Sequence, residues 1–127
     1  MHQAIATQDA PKAIGPYSQA VSAPAGRMVF CSGQIPLDPR TGELVKGTIE
    51  EETRRVMENL KAVLAAAGAG FGDVVKTTIY LTDLSDFTRV NEVYGSYLAA
   101  VPPARATVQV AALPRGARVE IDAVAVT

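Results

Sequence analysis

Apolar and polar positions along the chain change period several times, and each change marks an element. Residues 17–22 and 27–32 mix aromatic, β-branched and small side chains with polar ones, and Pro24-Ala25-Gly26 separates them. That pattern predicts two antiparallel strands joined as a hairpin. A turn-rich stretch through Asp38-Pro39-Arg40-Thr41-Gly42 follows. Thr48, with Glu51 three residues on, forms a capping box in which each side chain satisfies an otherwise orphaned amide at a helix start. Val56, Met57, Leu60, Val63, Leu64 and Ala67 then recur at helical spacing, Glu52, Arg55, Glu58 and Lys61 fall off that stripe, and Gly68 is placed to end the helix.

Residues 74–82 are rich in β-branched side chains and read as a strand. A second helix carries Phe87, Val90, Tyr94, Tyr97 and Leu98 as its apolar stripe and stops at Pro102-Pro103, with Asn91 read as a solvated residue off the stripe. Residues 105–110 and 118–126 read as a final strand pair turning around Leu113-Pro114-Arg115-Gly116. The order is ββαβαββ, which predicts an α+β fold with a mixed sheet and two helices packed on one face. In the last two strands Val108, Val110, Ile121 and Ala123 make a core-like side, whereas Arg105, Thr107, Gln109, Glu120 and Asp122 make a mixed side that also carries Val124 and Val126. A half-apolar face left without helices points to subunit contact, so a homo-oligomer is expected.

Length and charge narrow the possibilities. The 127 residues fit a single domain, 1–127, with 48% hydrophobic and 20% charged residues. Twelve Lys and Arg against thirteen Asp and Glu give a net charge of −1, which argues against nucleic acid or an anionic membrane as partner. Asp9, Pro11, Lys12 and Pro16 interrupt any apolar region a signal peptide would need. No apolar run approaches the ~20 residues needed to span a bilayer. A single cysteine, Cys31, permits no internal disulfide, and the expectation is a soluble, cytoplasmic protein. The single histidine, His2, leaves few ways to build a Ser-His-Asp triad, a Cys-His pair or a zinc site, so no metal is expected.

The remaining candidates lie on the mixed side of the last strands and in two loops. A tight turn between Pro114 and Arg115 would place Arg105, Thr107 and Glu120 on one face. A guanidinium there could bind a carboxylate with two parallel hydrogen bonds, and Glu120 could polarise a water or carry a proton. The simpler reading of the same spacing is a structural Arg105-Glu120 ion pair. Gly15-Pro16-Tyr17 reads as a strand-entry turn or as a loop in which Tyr17 caps a small-molecule cleft. Ser32-Gly33 reads as a strand terminus or as a place where backbone amides approach an anion. Cys31 lacks a base and reads as an inert buried thiol, and Arg54, Arg55, Arg115 and Arg118 as solvated charges.

These residues resemble the YjgF/RidA family over nearly the whole chain. The resemblance is carried by Ala13-Ile14-Gly15-Pro16-Tyr17-Ser18, by Ser32-Gly33-Gln34-Ile35-Pro36 and by Gly72-Asp73-Val74-Val75-Lys76-Thr77-Thr78. It continues through Pro103-Ala104-Arg105-Ala106-Thr107-Val108, Leu113-Pro114 and Val119-Glu120-Ile121. The family implies a chorismate-mutase-like fold assembled as a homotrimer with clefts between subunits. It implies hydrolysis of reactive 2-imino or enamine acids, such as 2-iminobutanoate and 2-iminopropanoate, to 2-oxo acids and ammonia, with no cofactor. Arg105 would hold the substrate carboxylate, Glu120 would position water or move a proton, and Tyr17, Ser32, Gly33, Asn91 and Thr107 match cleft positions. Thr107 stands where many relatives carry cysteine, and the 91–103 segment is shorter than in the best-known members. Two rival functions remain open: a trimeric 2-oxo-acid-binding or regulatory module, and, ranked lower, an endoribonuclease.

Overall fold

The computed structural model describes residues 2–127. Strands β1 (Gln3–Ile5) and β2 (Ala20–Ser22) pair antiparallel, with Gln3 opposite Ser22. Strands β3 (Met28–Gln34), β4 (Val74–Leu81), β5 (Ala104–Gln109) and β6 (Val119–Val126) form a four-stranded mixed sheet in the order β3-β6-β4-β5. A parallel bridge between Ser18 and Ala104 ties the β1-β2 pair to the β5 edge. Ser18 strengthens that junction by donating its amide to the Pro103 carbonyl at 3.1 Å and its hydroxyl to the Pro102 carbonyl at 2.6 Å.

Helices α1 (Ile49–Ala66) and α2 (Phe87–Ser96) pack against each other and against one face of the sheet. The expected α+β architecture, with two helices on one face, is therefore observed, with one short N-terminal strand that the sequence pattern did not announce. Helix α1 begins at the expected capping box: the Thr48 hydroxyl accepts from the Glu51 amide at 3.1 Å while the Glu51 carboxylate accepts from the Thr48 amide at 3.1 Å. Its apolar stripe is Ile49, Val56, Met57, Leu60 and Leu64, whereas Val63, assigned to the stripe from spacing, is 37% exposed.

Strand β6 sets the core. Val119, Ile121, Ala123 and Ala125 turn toward the helices and are buried, and Glu120, Asp122, Val124 and Val126 turn to the opposite face. Filling the space under α1 with residues such as Ile121 and Leu60 contributes about 2 kcal/mol for each large side chain buried. The small Ala123 and Ala125 keep this centre of the sheet low.

Two expected hairpins are absent. Residues 17–22 do not pair with 27–32: β2 pairs with β1, while β3 pairs with β6, its Arg27 and Thr127 exchanging backbone hydrogen bonds at the base. The turn at Gly26 exists, but it carries the chain from one strand pair into the other, and a Cβ there would strike the Thr127 carbonyl. The last two strands are not neighbours either. Strand β5 runs parallel to β4 after the α2 crossover, and β6 takes the other edge of β4, antiparallel to it. The connection contains a single helical turn at Pro114–Gly116 with Arg115 at φ 62°, not a two-residue hairpin loop.

This changes which side chains share a face. Register partners across the sheet are Arg105, Thr77 and Ala123 in one row and Thr107, Ile79 and Ile121 in the next. Arg105 and Thr107 consequently point to the helix-covered side. Glu120 shares its row with Tyr80 and Val108, on the uncovered side. The expected grouping of Val108 with the core is thus reversed, as Val108 is an exposed residue on the open face. Phe30, 71% exposed, and Met28, 56% exposed, stand opposite Val124 and Val126 on the same face.

Two charged positions also depart from the sequence reading. Glu52 is 4% exposed rather than on the wet side of α1. Arg118 reaches it with two hydrogen bonds, of 2.5 Å and 3.2 Å, and also donates to the Gly47 carbonyl at 2.8 Å. A buried carboxylate with this fork beside it ties the start of α1 to the entry of β6.

The cap gives a direct stability test. Thr48→Ala should lower the unfolding free energy by about 1 kcal/mol in urea denaturation at neutral pH. The Glu51 carboxyl is held below the usual carboxylate range, first by the Thr48 amide and then by its hydroxyl. A depressed folded-state value means that this part of the cap is fully present above the ordinary glutamate range and is lost as pH falls through the folded value.

Candidate functional site

The sheet register divides the seven candidate residues into two groups. Arg105, Thr107, Asn91 and Tyr17 lie around the β5 end of the helix-covered side, and Ser32, Gly33 and Glu120 lie at the β3-β6 pair.

Arg105 is half-buried and has an unusual set of neighbours. Its Nη1 donates to Oδ1 of Asn91. Its Cζ lies 5.1 Å from the Tyr17 ring centroid and 5.4 Å from those of Phe87 and Tyr94. Among the described residues, the ion pairs are Arg40-Asp38, Arg89-Asp86 and Arg118-Glu52, and no carboxylate pairs with Arg105. Burial pulls the guanidinium below its usual range, with Tyr94 and Tyr17 opposing the shift. The arginine nevertheless stays cationic. It is a partly desolvated positive charge whose protein partners are neutral.

The local sequence explains this arrangement. Phe87, Asn91 and Tyr94 are spaced i, i+4 and i+7, so α2 presents them on one stripe to the start of β5. Asn91 is therefore on the inner stripe and bonded to Arg105, not solvated as its polarity indicated. Tyr17 arrives from the N-terminal side because Ser18 is fixed to 102–104, and a tight turn returns the Tyr17 amide to the Gly15 carbonyl at 2.9 Å. Gly15 adopts φ 113°, which favours glycine, and a side chain there would meet the Asn91 amide at 3.4 Å. Thr107, two residues beyond Arg105 on the same side, has a buried hydroxyl with no hydrogen-bond partner.

The second group is built by an irregularity in β3. Cys31 pairs with Ala123 and Gln34 with Ile121, so Ser32 and Gly33 together oppose the single residue Asp122. This is a β-bulge. Gly33 brings its backbone against the Glu120 side chain so closely that an added Cβ would overlap the carboxylate. Cys31 faces the core, and burial raises its thiol, as befits an inert packing residue.

The Arg105-Glu120 ion pair and the single shared face expected from hairpin parity are thus both corrected, because β4 stands between β5 and β6 and the two side chains leave the sheet on opposite sides. A cleft of about 820 Å³ under the N-terminal segment includes Tyr17 but neither Arg105 nor Glu120. No group of three or more His, Cys, Asp or Glu side chains converges among the described residues. Among the described residues no helix is long and apolar enough to cross a membrane.

Residues 7–127 match the family model described as Endoribonuclease L-PSP. The chain belongs to the YjgF/RidA family. Protein DfrA of Myxococcus xanthus is 66% identical over 125 residues, covering 98% of this chain and 95% of that protein. The 2-iminobutanoate/2-iminopropanoate deaminase of Mus musculus is 52% identical over 126 residues, covering 99% of this chain and 92% of the relative. A crystal structure of E. coli TdcF with bound serine superposes with a TM-score of 0.76 at 46% identity, covering 98% of both chains. Membership in the YjgF/RidA family thus agrees with the fold and with the motifs that hold both residue groups.

Phe87, Tyr94 and Thr77 were legible in sequence only as core or strand residues; the signal that marks the first two is their spacing around Asn91. The bulge makes a specific prediction. Gly33→Ala should lower stability by no more than about 1 kcal/mol, because the Glu120 side chain must yield from its Cγ outward while no backbone stands in the way. A crystal structure of the variant should show the Glu120 carboxylate displaced.

Proposed function

We propose that this protein hydrolyses small 2-imino acids and their enamine tautomers, with 2-iminobutanoate and 2-iminopropanoate as representatives, to 2-oxo acids and ammonia. The observation that carries the reading is Arg105: a partly buried, pre-oriented guanidinium with neutral neighbours and no carboxylate of its own. Such a group recognises a small carboxylate by charge and by its planar fork. The deaminase name borne by the mouse relative supports the substrate class, and the serine held by TdcF supports a small amino-carboxylate ligand.

Because Arg105 and Glu120 leave opposite faces of one sheet, the working site pairs them from different copies of the chain. The exposed Phe30, Met28 and Val108 on the open face supply the apolar surface for that contact. A homotrimer closes such a heterologous contact into a ring. In the cleft, Arg105 holds the substrate carboxylate and the Thr107 hydroxyl donates to the same end of the molecule. Water adds to the iminium carbon while Glu120 takes a proton from it. The proton passes to the nitrogen of the resulting carbinolamine; as the C–N bond breaks, the carbinolamine hydroxyl gives its proton to Glu120, and the 2-oxo acid and ammonia leave, the ammonia taking up that last proton as ammonium. An iminium carbon is already electrophilic, so orientation, a positioned water and proton transfer are the main requirements.

The test is to generate 2-iminobutanoate in situ with an amino-acid dehydratase and to follow 2-oxobutanoate release. Acceleration over buffer is expected, and its absence would overturn the proposal. Arg105→Ala should abolish the acceleration while the protein remains folded, and Glu120→Gln should lower kcat by about 10²-fold or more. Binding of 2-oxobutanoate by calorimetry without turnover of either imine would instead identify a ligand-binding module.

A further inference from the structure

Beneath the Arg105 cage lies a pair of hydroxyls with no role in the chemistry above. Tyr94 is fully buried, and its hydroxyl sits 2.7 Å from Oγ1 of Thr77. Thr77 is itself 3% exposed, and it is the register partner of Arg105 on the adjacent strand. On the inward side of β4 its neighbours Ile79 and Leu81 are apolar, which makes Thr77 the polar exception in a stripe that shares one core with Val90 and Tyr94 of α2. The same Tyr94 ring forms one wall of the guanidinium cage.

We propose that Tyr94 and Thr77 are positioning residues for Arg105, and that their hydroxyl pair sets the direction in which the guanidinium presents its fork to a carboxylate; this rests on reading Arg105 as the carboxylate anchor. Packing alone would be served by a phenylalanine and a valine, since two buried polar partners exchanged together for apolar groups of like shape cost little. The hydroxyl pair adds direction. It fixes where the Tyr94 ring stands relative to β4, the strand that also fixes the root of Arg105. A cation attracted to a ring face follows that face. With Asn91 holding one nitrogen and three rings limiting the remaining rotation, the arginine loses much of its rotamer freedom before ligand arrives.

The consequence differs from that of a structural hydroxyl pair. A misdirected Arg105 weakens the ground state and the transition state alike, because the carboxylate is held in both, so KM should rise while kcat holds. Tyr94→Phe should raise KM for 2-iminobutanoate and the Kd for 2-oxobutanoate by about five- to tenfold, with kcat within about twofold. In the NMR spectrum of the unliganded protein the Arg105 Nε–Hε resonance, assigned with Arg105→Lys, should shift and broaden. Thr77→Ser retains the hydroxyl and should match the wild type in all three readouts. The double variant Tyr94→Phe, Thr77→Val keeps the core filled without an orphaned hydroxyl and should repeat the Kd and NMR changes. If Tyr94→Phe lowers only the melting temperature and leaves KM, Kd and the Arg105 resonance unchanged, the positioning role is overturned. The resonance needs no substrate. A wild-type protein inert toward imines would therefore remove the proposed activity, while the Arg105 signal would still decide for or against the positioning role.

Discussion

A guanidinium partly withdrawn from water with no carboxylate beside it is the group around which the rest of this molecule is arranged. Removing a charge from water costs free energy that an ion pair commonly offsets, as Arg118 does for the buried Glu52 elsewhere in this fold. Arg105 is compensated by other means. One neutral amide oxygen and three ring faces stabilise the charge without cancelling it. The helix spacing of Phe87, Asn91 and Tyr94, the anchoring of Ser18 to 102–104 and the left-handed Gly15 all serve that one environment. A cation held this way retains its attraction for an anion from outside.

The second constraint is topological. Inserting β6 between β3 and β4 gives the sheet a strand whose inward residues are small or β-branched, and it allows α1 and α2 to lie close over the centre. The same insertion sends Glu120 to the uncovered face while Arg105 leaves toward the helices. A fold that separates two such groups within one chain can unite them between chains. The uncovered face, with Phe30 and Met28 exposed on it, is suited to that role. The β-bulge at Ser32 and Gly33 then acts locally, bringing backbone against Glu120.

Much of this was legible in the residues. The capping box located the start of α1, the stripe Phe87, Val90, Tyr94 located α2, and the alternation along β6 identified its buried residues Ile121 and Ala123. Strand partners were less legible, because alternation says which residues share a face within one strand and nothing about which strand lies alongside. The turn at Pro114–Gly116 has hairpin composition, yet the α2 crossover had already placed β5 parallel to β4. That error moved Arg105 and Thr107 to the wrong face and paired Arg105 with Glu120. Polarity misled in three further places, since Asn91, Glu52 and Arg118 read as solvated until a partner across the fold was visible. The family motifs pointed to the candidate residues as a set, but they carry no information on which of them meet within one copy.

Division of the site between copies can be measured by subunit mixing. Arg105→Ala and Glu120→Gln proteins, each inactive alone toward 2-iminobutanoate, are combined in equal amounts, dissociated and reassembled. In a ring where each site takes Arg105 from one chain and Glu120 from the next, random reassembly should restore about a quarter of wild-type activity. Mixed assemblies that form but stay as inactive as their parents would contradict the account.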